Sequence, residues 1–149
     1  TALVSYILPL LSGKNVVVTP HAGEFKKMFG EVPPDSKKAR ITMVEKFAKD
    51  HSITILLKGP TDIISNGTKT YINPTNTPGM TVGGTGDILS GIIAGMLARN
   101  RNALESAVIS AYFNGLAGKS TQKKLGSHMT ATDLLDALPS VMKSFDKIK

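Results

Sequence analysis

The sequence predicts an α/β fold built on a mainly parallel sheet, and three features carry that prediction. Two short apolar runs rich in β-branched residues, 16–18 and 53–57, read as buried strands. Between them Ile41, Val44, Phe47 and Ala48 recur at helical spacing, and strand, helix and strand in turn is the pattern of a parallel α/β sheet. Further on, the glycine-dense stretch Gly-Met-Thr-Val-Gly-Gly-Thr-Gly (79–86) runs into an apolar helical pattern that begins at Asp87.

Taken in order, Ala2 to Leu11 is apolar and helical, with Gly13 as its stop. Val16-Val17-Val18 is a strand that Pro20 ends, because proline donates nothing to a ladder. A short helix covers Gly23 to Phe29, a loop follows through Pro33-Pro34, and Asp35 or Ser36 caps a helix over about 36–50. Ile53 to Leu57 is the second strand. Asp62 to Ser65 and Thr68 to Ile72 flank Asn66-Gly67, a pair that predicts a type I′ hairpin. The long loop 73–86 leads to three helices over about 87–99, 103–121 and 131–144. Asn100 to Asn102 separates the first two, and Thr130 with Asp133 forms a capping-box start for the third, with Thr132 the other candidate cap. Gly-Ser-His-Met (126–129) lies between helices and is read as native sequence.

A chain of 149 residues, 41% of them hydrophobic, fits one domain with a sizeable core. It holds no Cys, so disulfides and thiolate metal sites are excluded, and a cytoplasmic setting is expected. No signal peptide is recognised, and the most apolar run, 88–98, is too short and too glycine-interrupted to cross a bilayer. The net charge of +7 comes from lysines scattered in pairs without interleaved aromatics. A surface that attracts nucleotide anions accounts for it, and neither nucleic acid nor membrane is expected as a partner.

The glycine loop points to chemistry. Its backbone amides, with the positive end of the following helix, suit an anion such as phosphate. An acid fixed there repels phosphate, but it is well placed to take a proton from a hydroxyl attacking that phosphate. Asp87 is therefore the candidate base for phosphoryl transfer to an alcohol, against the competing reading of a plain helix N-cap. Lys58-Gly59 and His21 with Glu24 each directly follow an apolar strand, and α/β sheets bind ligands at such strand ends. For Lys58 the alternatives are a phosphate contact and a solvated lysine. Glu24 either orients a loop or cation–water shell or caps its own short helix. Asn73 reads as a turn residue, with polar lining of the loop the other candidate, His51 and His128 as surface, and Met28, Met43, Met96, Met129 and Met142 as core filler. No Walker A pattern and no metal-ligand cluster is present.

Three motifs in a fixed order add a family resemblance: Thr-Pro-His-Ala-Gly-Glu-Phe (19–25), Leu-Lys-Gly-Pro-Thr-Asp (57–62) and Pro-Gly-Met-Thr-Val-Gly-Gly-Thr-Gly-Asp-Ile-Leu-Ser-Gly (78–91). Over most of residues 15–140 the sequence resembles the C-terminal half of the ADP- or ATP-dependent NAD(P)H-hydrate dehydratases, members of the ribokinase-like superfamily. The resemblance implies the C-terminal part of a three-layer α/β/α sandwich with a mainly parallel central sheet. Members of that family are nearly twice as long, so residues 1–149 are expected to form a single domain lacking its N-terminal half: a fragment, or one piece of a cleaved or split protein.

The resemblance also implies roles. Asp87 would activate the substrate hydroxyl and touch the substrate, Gly84, Thr85 and Gly86 would offer amides to the moving phosphoryl group, and Gly86 would also contact the nucleotide. Lys58, Gly59, Pro60, Thr61 and Asp62 would hold the nucleotide; family members often carry Gly or Ala where Pro60 stands. His21 would touch the hydrated nicotinamide nucleotide. ADP or ATP is the implied cosubstrate, Mg2+ travels with it through phosphate and water, and a homo-oligomer is expected. The reaction implied is repair of hydrated NADH or NADPH by phosphorylation of the ring hydroxyl and loss of phosphate. Two other readings are a small-molecule kinase of the same superfamily acting on a thiazole or pyrimidine alcohol, and a nucleotide-binding module without catalysis.

Overall fold

Alternation along the strands sets the architecture. Val18, Ile55, Leu57 and Ile63 point to one side of the sheet, and Val17, Leu56 and Ile64 to the other. Both sides are apolar, so both must be covered, and helices cover each. The computed structural model describes residues 4–99 and 101–146. Its strands are β1 (Val17–Val18), β2 (Thr54–Leu57), β3 (Asp62–Ser65) and β4 (Thr70–Asn73), ordered β1-β2-β3-β4 in one sheet. Helices α2 (Ala22–Phe29) and α3 (Lys37–His51) pack Phe25, Met28, Val44 and Phe47 on the first face. Helices α4 (Thr85–Ala98) and α5 (Ala103–Leu125) pack Leu89, Ile93, Ala107 and Ala111 on the second. Helix α6 (Ala131–Lys143) lies outside them and buries Leu134 and Leu138 with Ala117 and Met129.

The α/β class and the three layers stand as expected, and the strand directions refine the mainly parallel expectation. β1 and β2 pair in parallel, with Val17 opposite Thr54. β2 with β3, and β3 with β4, pair antiparallel. The reason is chain length. Only residues 58–61 join β2 to β3, and a parallel crossover needs roughly a dozen residues or more. Within this chain the sheet is therefore mixed.

Two local expectations change. The first helix is a 3-10 turn over Ser5–Ile7 that passes into the single turn α1 (Leu8–Leu11), while residues 1–3 lie outside the described residues. So does Asn100 of the expected break between α4 and α5. The Asn66-Gly67 hairpin forms, but not as type I′, which needs positive φ at both central residues. Only Gly67 has it, at 84°. Asn66 Oδ1 instead accepts from the amides of Thr68 and Lys69, and the closing loop is longer than two residues. Thr130 and Asp133 form the expected capping box, Ser36 stands at the N-cap of α3 but makes no side-chain capping bond, and Asn102, read only as a break, caps α5 by accepting from the Glu105 amide.

Candidate functional site

Three chain segments meet at the strand ends that follow β1 and β2. The Lys58 amide donates to the Pro20 carbonyl at 2.8 Å, which ties the two exits side by side. Past Pro20 the chain turns into α2 with His21 at its N-cap. His21 Nδ1 accepts from the amides of Gly23 (3.0 Å) and Glu24 (3.3 Å), while Glu24 Oε2 accepts from the His21 amide at 2.9 Å. Sequence reading took His21 as a ligand contact; its first structural task is to start a helix, as the cap of a capping box. With Nδ1 occupied by two donors, Nε2 is the ring nitrogen left over, and it lies 3.5 Å from Glu24 Oε2.

Glu24 joins the first segment to the second. Its Oε2 lies 3.4 Å from Lys58 Nζ. Burial works to raise the Glu24 carboxyl's pKa, but the His21 amide and the charges of Lys58 and His21 outweigh it, and the net direction is down. Lys58 in turn reaches the third segment. A Cβ placed on Gly86 would stand 3.2 Å from Lys58 Nζ, so the ammonium group rests against bare backbone in the first turn of α4.

That turn is open to an incoming anion. Gly84 occupies the N-cap with φ 95°, and no side chain caps the helix. Thr85 and Gly86 are its first two residues, whose amides have no intrahelical acceptor. The Thr85 hydroxyl faces inward and bonds the carbonyls of Met80 (2.8 Å) and Val82 (3.1 Å), which fixes the loop's path. Asp87 is the third helical residue and not the cap, so the plain N-cap reading of Asp87 does not hold. Its side chain is exposed and makes no hydrogen bond or ion pair among the described residues. The result is an ammonium group, a row of free amides and an unengaged carboxylate side by side.

The loop 58–62 divides in two. Lys58 faces Glu24 and Gly86, Pro60 is exposed, and Gly59 and Thr61 are half-exposed. Asp62 turns inward and is only 3% exposed. Its Oδ1 accepts from the Gly59 amide (3.1 Å) and from Asn76 Nδ2 (2.8 Å), and its Oδ2 accepts from Asn73 Nδ2 (3.0 Å). Burial pushes its pKa up, and these hydrogen bonds with the Lys58 charge pull it partly back. A carboxylate so engaged shapes the loop from within.

Sequence reasoning missed Asn76 and misjudged Asn73. Asn76 Nδ2 also donates to the Gly59 carbonyl at 2.9 Å. Asn73 is buried, donates to the Ala111 carbonyl of α5 at 3.1 Å, and accepts from the Thr75 hydroxyl at 2.7 Å. Asn73 ends β4 and Asn76 follows three residues on, a place that signals polar lining, but most of their partners lie far along the chain. The segment after Asn73 then lies along α5. Thr75 fills the space a side chain at Gly115 would need, Met80 fills that of Gly118, and the Gly79 amide donates to Gln122 Oε1 at 3.1 Å. Met129 closes over Gly79, so the internal Gly-Ser-His-Met stretch ends in the core.

Among the described residues no cluster of three or more His, Asp or Glu side chains stands ready for a metal ion, and no helix is long and apolar enough to cross a membrane. Layers, strand order and a glycine loop at the sheet's ligand edge define a ribokinase-like α/β/α protein. Solved structures agree. The ADP/ATP-dependent NAD(P)H-hydrate dehydratase from Bacillus subtilis co-crystallized with ATP/Mg2+ is similar with a TM-score of 0.81 at 32% identity, over 88% of this chain and 48% of that one. The family pattern for NAD(P)H-hydrate dehydratase matches residues 9–140, and the chain belongs to that family. It is 62% identical over 148 residues to the ADP-dependent (S)-NAD(P)H-hydrate dehydratase of Nitrosopumilus maritimus (strain SCM1), and 61% identical to that of Cenarchaeum symbiosum (strain A). Each alignment covers 99% of this chain and 52% of the relative, so the chain spans about half the length of the curated relatives it matches.

Proposed function

We propose that the protein repairs hydrated NADH or NADPH at the expense of ADP or ATP. The observation that carries this reading is Lys58 Nζ, held between Glu24 and the bare backbone of Gly86 at the uncapped start of α4, next to the free carboxylate of Asp87. An ammonium group and helix-end amides attract the terminal phosphates, and a carboxylate just past them takes the proton of an attacking hydroxyl.

The steps follow from the groups present. Asp87 removes the proton from the ring hydroxyl of the hydrate. The hydroxyl oxygen attacks the terminal phosphorus, and the bond from that phosphorus to the nucleotide's bridging oxygen breaks. The amides of Gly84, Thr85 and Gly86 hold the charge that gathers on the phosphoryl oxygens. Lys58 and the backbone of residues 59–61 hold the nucleotide, and His21 presents Nε2 to the substrate. Phosphate then leaves with the electrons of its carbon–oxygen bond, the adjacent ring carbon loses a proton, and the double bond returns. Mg2+ would come with the nucleotide, held through phosphate and water, as the described residues hold no cluster of three or more His, Asp or Glu side chains for it.

The same reading includes a cytoplasmic protein that works as a homo-oligomer, with a substrate pocket completed by a complementary N-terminal segment. The test is recovery of NAD(P)H absorbance from the hydrate by the full-length protein with Mg2+ and either ADP or ATP. Recovery with release of inorganic phosphate supports it. A product that keeps its phosphate, or recovery without nucleotide, overturns it.

A further inference from the structure

We propose that Asp62 and Asn76 act as one positioning device for the nucleotide-holding loop, fixing Gly59 through the peptide on each side of it so that Lys58 is aimed at the helix α4 start. The inference rests on the nucleotide reading of Lys58. Its basis is a single residue held by both its N–H and its carbonyl. The Gly59 amide donates to Asp62 Oδ1, and the Gly59 carbonyl accepts from Asn76 Nδ2. Asn76 Nδ2 also donates to Asp62 Oδ1, so both of its amide hydrogens have acceptors and its orientation is fixed. The device is anchored below. Asp62 Oδ2 accepts from Asn73, which donates in turn to Ala111 of α5.

The choice of residue argues for positioning over simple packing. Burying a carboxylate is costly unless every acceptor site is engaged, and a hairpin start does not need one. Here the acid is 3% exposed and gathers three donors from three separate positions. One of these bonds goes to the loop's own turn at Gly59, one to Asn76 in the segment after β4, and one inward to Asn73 of the scaffold. Lys58 precedes the fixed peptide, so the direction in which its stem leaves the sheet follows from the geometry at Gly59. The ion pair with Glu24 at 3.4 Å and the approach to Gly86 are downstream of that direction. Asp62 touches no ligand in this account. It works through Gly59, and Asn76 is its partner.

The test uses the full-length protein and ADP or ATP as probe. Asn76 is half-exposed and removable without opening the core. We expect Asn76→Ala to raise the nucleotide KM about tenfold, with kcat within about threefold, the hydrate KM within about twofold and thermal stability little changed. Asn76→Asp sets two carboxylates against each other and is expected to be worse. The exchange Asp62→Asn with Asn76→Asp still leaves the Gly59 carbonyl without its donor and is expected to recover none of the nucleotide affinity that Asn76→Asp loses. Calorimetry separates the two levels of the argument. A wild-type protein that binds neither ADP nor ATP overturns the nucleotide reading and this inference with it. A wild type that binds, beside an Asn76→Ala variant that binds equally well, overturns only the inference. So does an Asn76→Ala variant that loses stability, kcat and both KM values together, and so does an exchange variant that regains wild-type nucleotide affinity.

Discussion

The loops at 58–62 and 83–87 follow neighbouring elements, end within reach of each other, and treat their hydrogen-bonding groups in opposite ways. In the first, the polar groups turn inward: Asp62, Asn73, Asn76 and the Gly59 peptide bond one another. In the second, the inward work is left to one hydroxyl, that of Thr85, and the amides at the helix start and the Asp87 carboxylate stay free. The difference separates shape from chemistry. A saturated loop gives a fixed edge, and an unsaturated one gives groups with capacity left for a ligand.

Substitutions that break the contrast have graded effects. Asp87→Asn keeps the size of the unengaged group and removes its basicity. Turnover should fall by roughly 10² or more while nucleotide affinity stays within about tenfold. Steady-state rates beside ADP binding decide it, and unchanged turnover removes Asp87 from the mechanism. Gly84→Ala comes next. It puts a side chain where φ is 95° and its Cβ would stand 2.9 Å from that of Ala131. The strain is about 1–2 kcal/mol from the backbone alone. A lower melting temperature, with turnover down about tenfold as the amides shift, is the expected result; full activity at normal stability means the loop's geometry is not needed.

Lys58→Ala tests the meeting point of the two loops. Losing a charge-assisted contact should weaken nucleotide binding about tenfold, and hydrate binding less. Calorimetry on both ligands reads this, and equal losses point to a collapsed edge. The smallest effect compares two carboxylates through pH. Glu24 has a lowered folded pKa, so its stabilisation is present at neutral pH and is lost as pH falls through that value. Asp62 has a raised one, so its contribution is present in acid and is lost as pH rises through its folded value. Between pH 6 and roughly pH 3.5 the two oppose each other. Urea midpoints across that window should fall less for Glu24→Gln than for wild type and more for Asp62→Asn, each difference under about 1 kcal/mol. Reversed signs would mean that other groups govern the acid limb.

Much of the fold was legible because its signals are local. The run Ile53 to Leu57 is buried throughout, as its composition demands, and the helix after the glycine loop begins within two residues of its expected start. The mixed sheet was also within reach, since residues 58–61 are too few for a crossover. The hairpin's turn type was not, because Asn66 chose to bond with its side chain instead of adopting positive φ. At the site, a position just past a strand marked Lys58 and Glu24, and the glycine loop marked Asp87. The inward turn of Asp62 was hidden, since its partners Asn73 and Asn76 come from the far side of a hairpin and no local pattern joins them.

The seating of the glycine loop's approach on α5 has a consequence for how this protein can change length. Thr75, Met80 and Gly79 meet Gly115, Gly118 and Gln122, positions that share one side of the helix. Each residue of an α-helix turns its successor by about 100°. Inserting a single residue between Gly115 and Gln122 would swing the later contact point out of register with the earlier one and pull the segment apart. Growth of this protein by insertion is thus expected past the end of α5, in the exposed 3-10 turn Gly126–His128, and α5 serves as a ruler against which the approach to the free amides is measured.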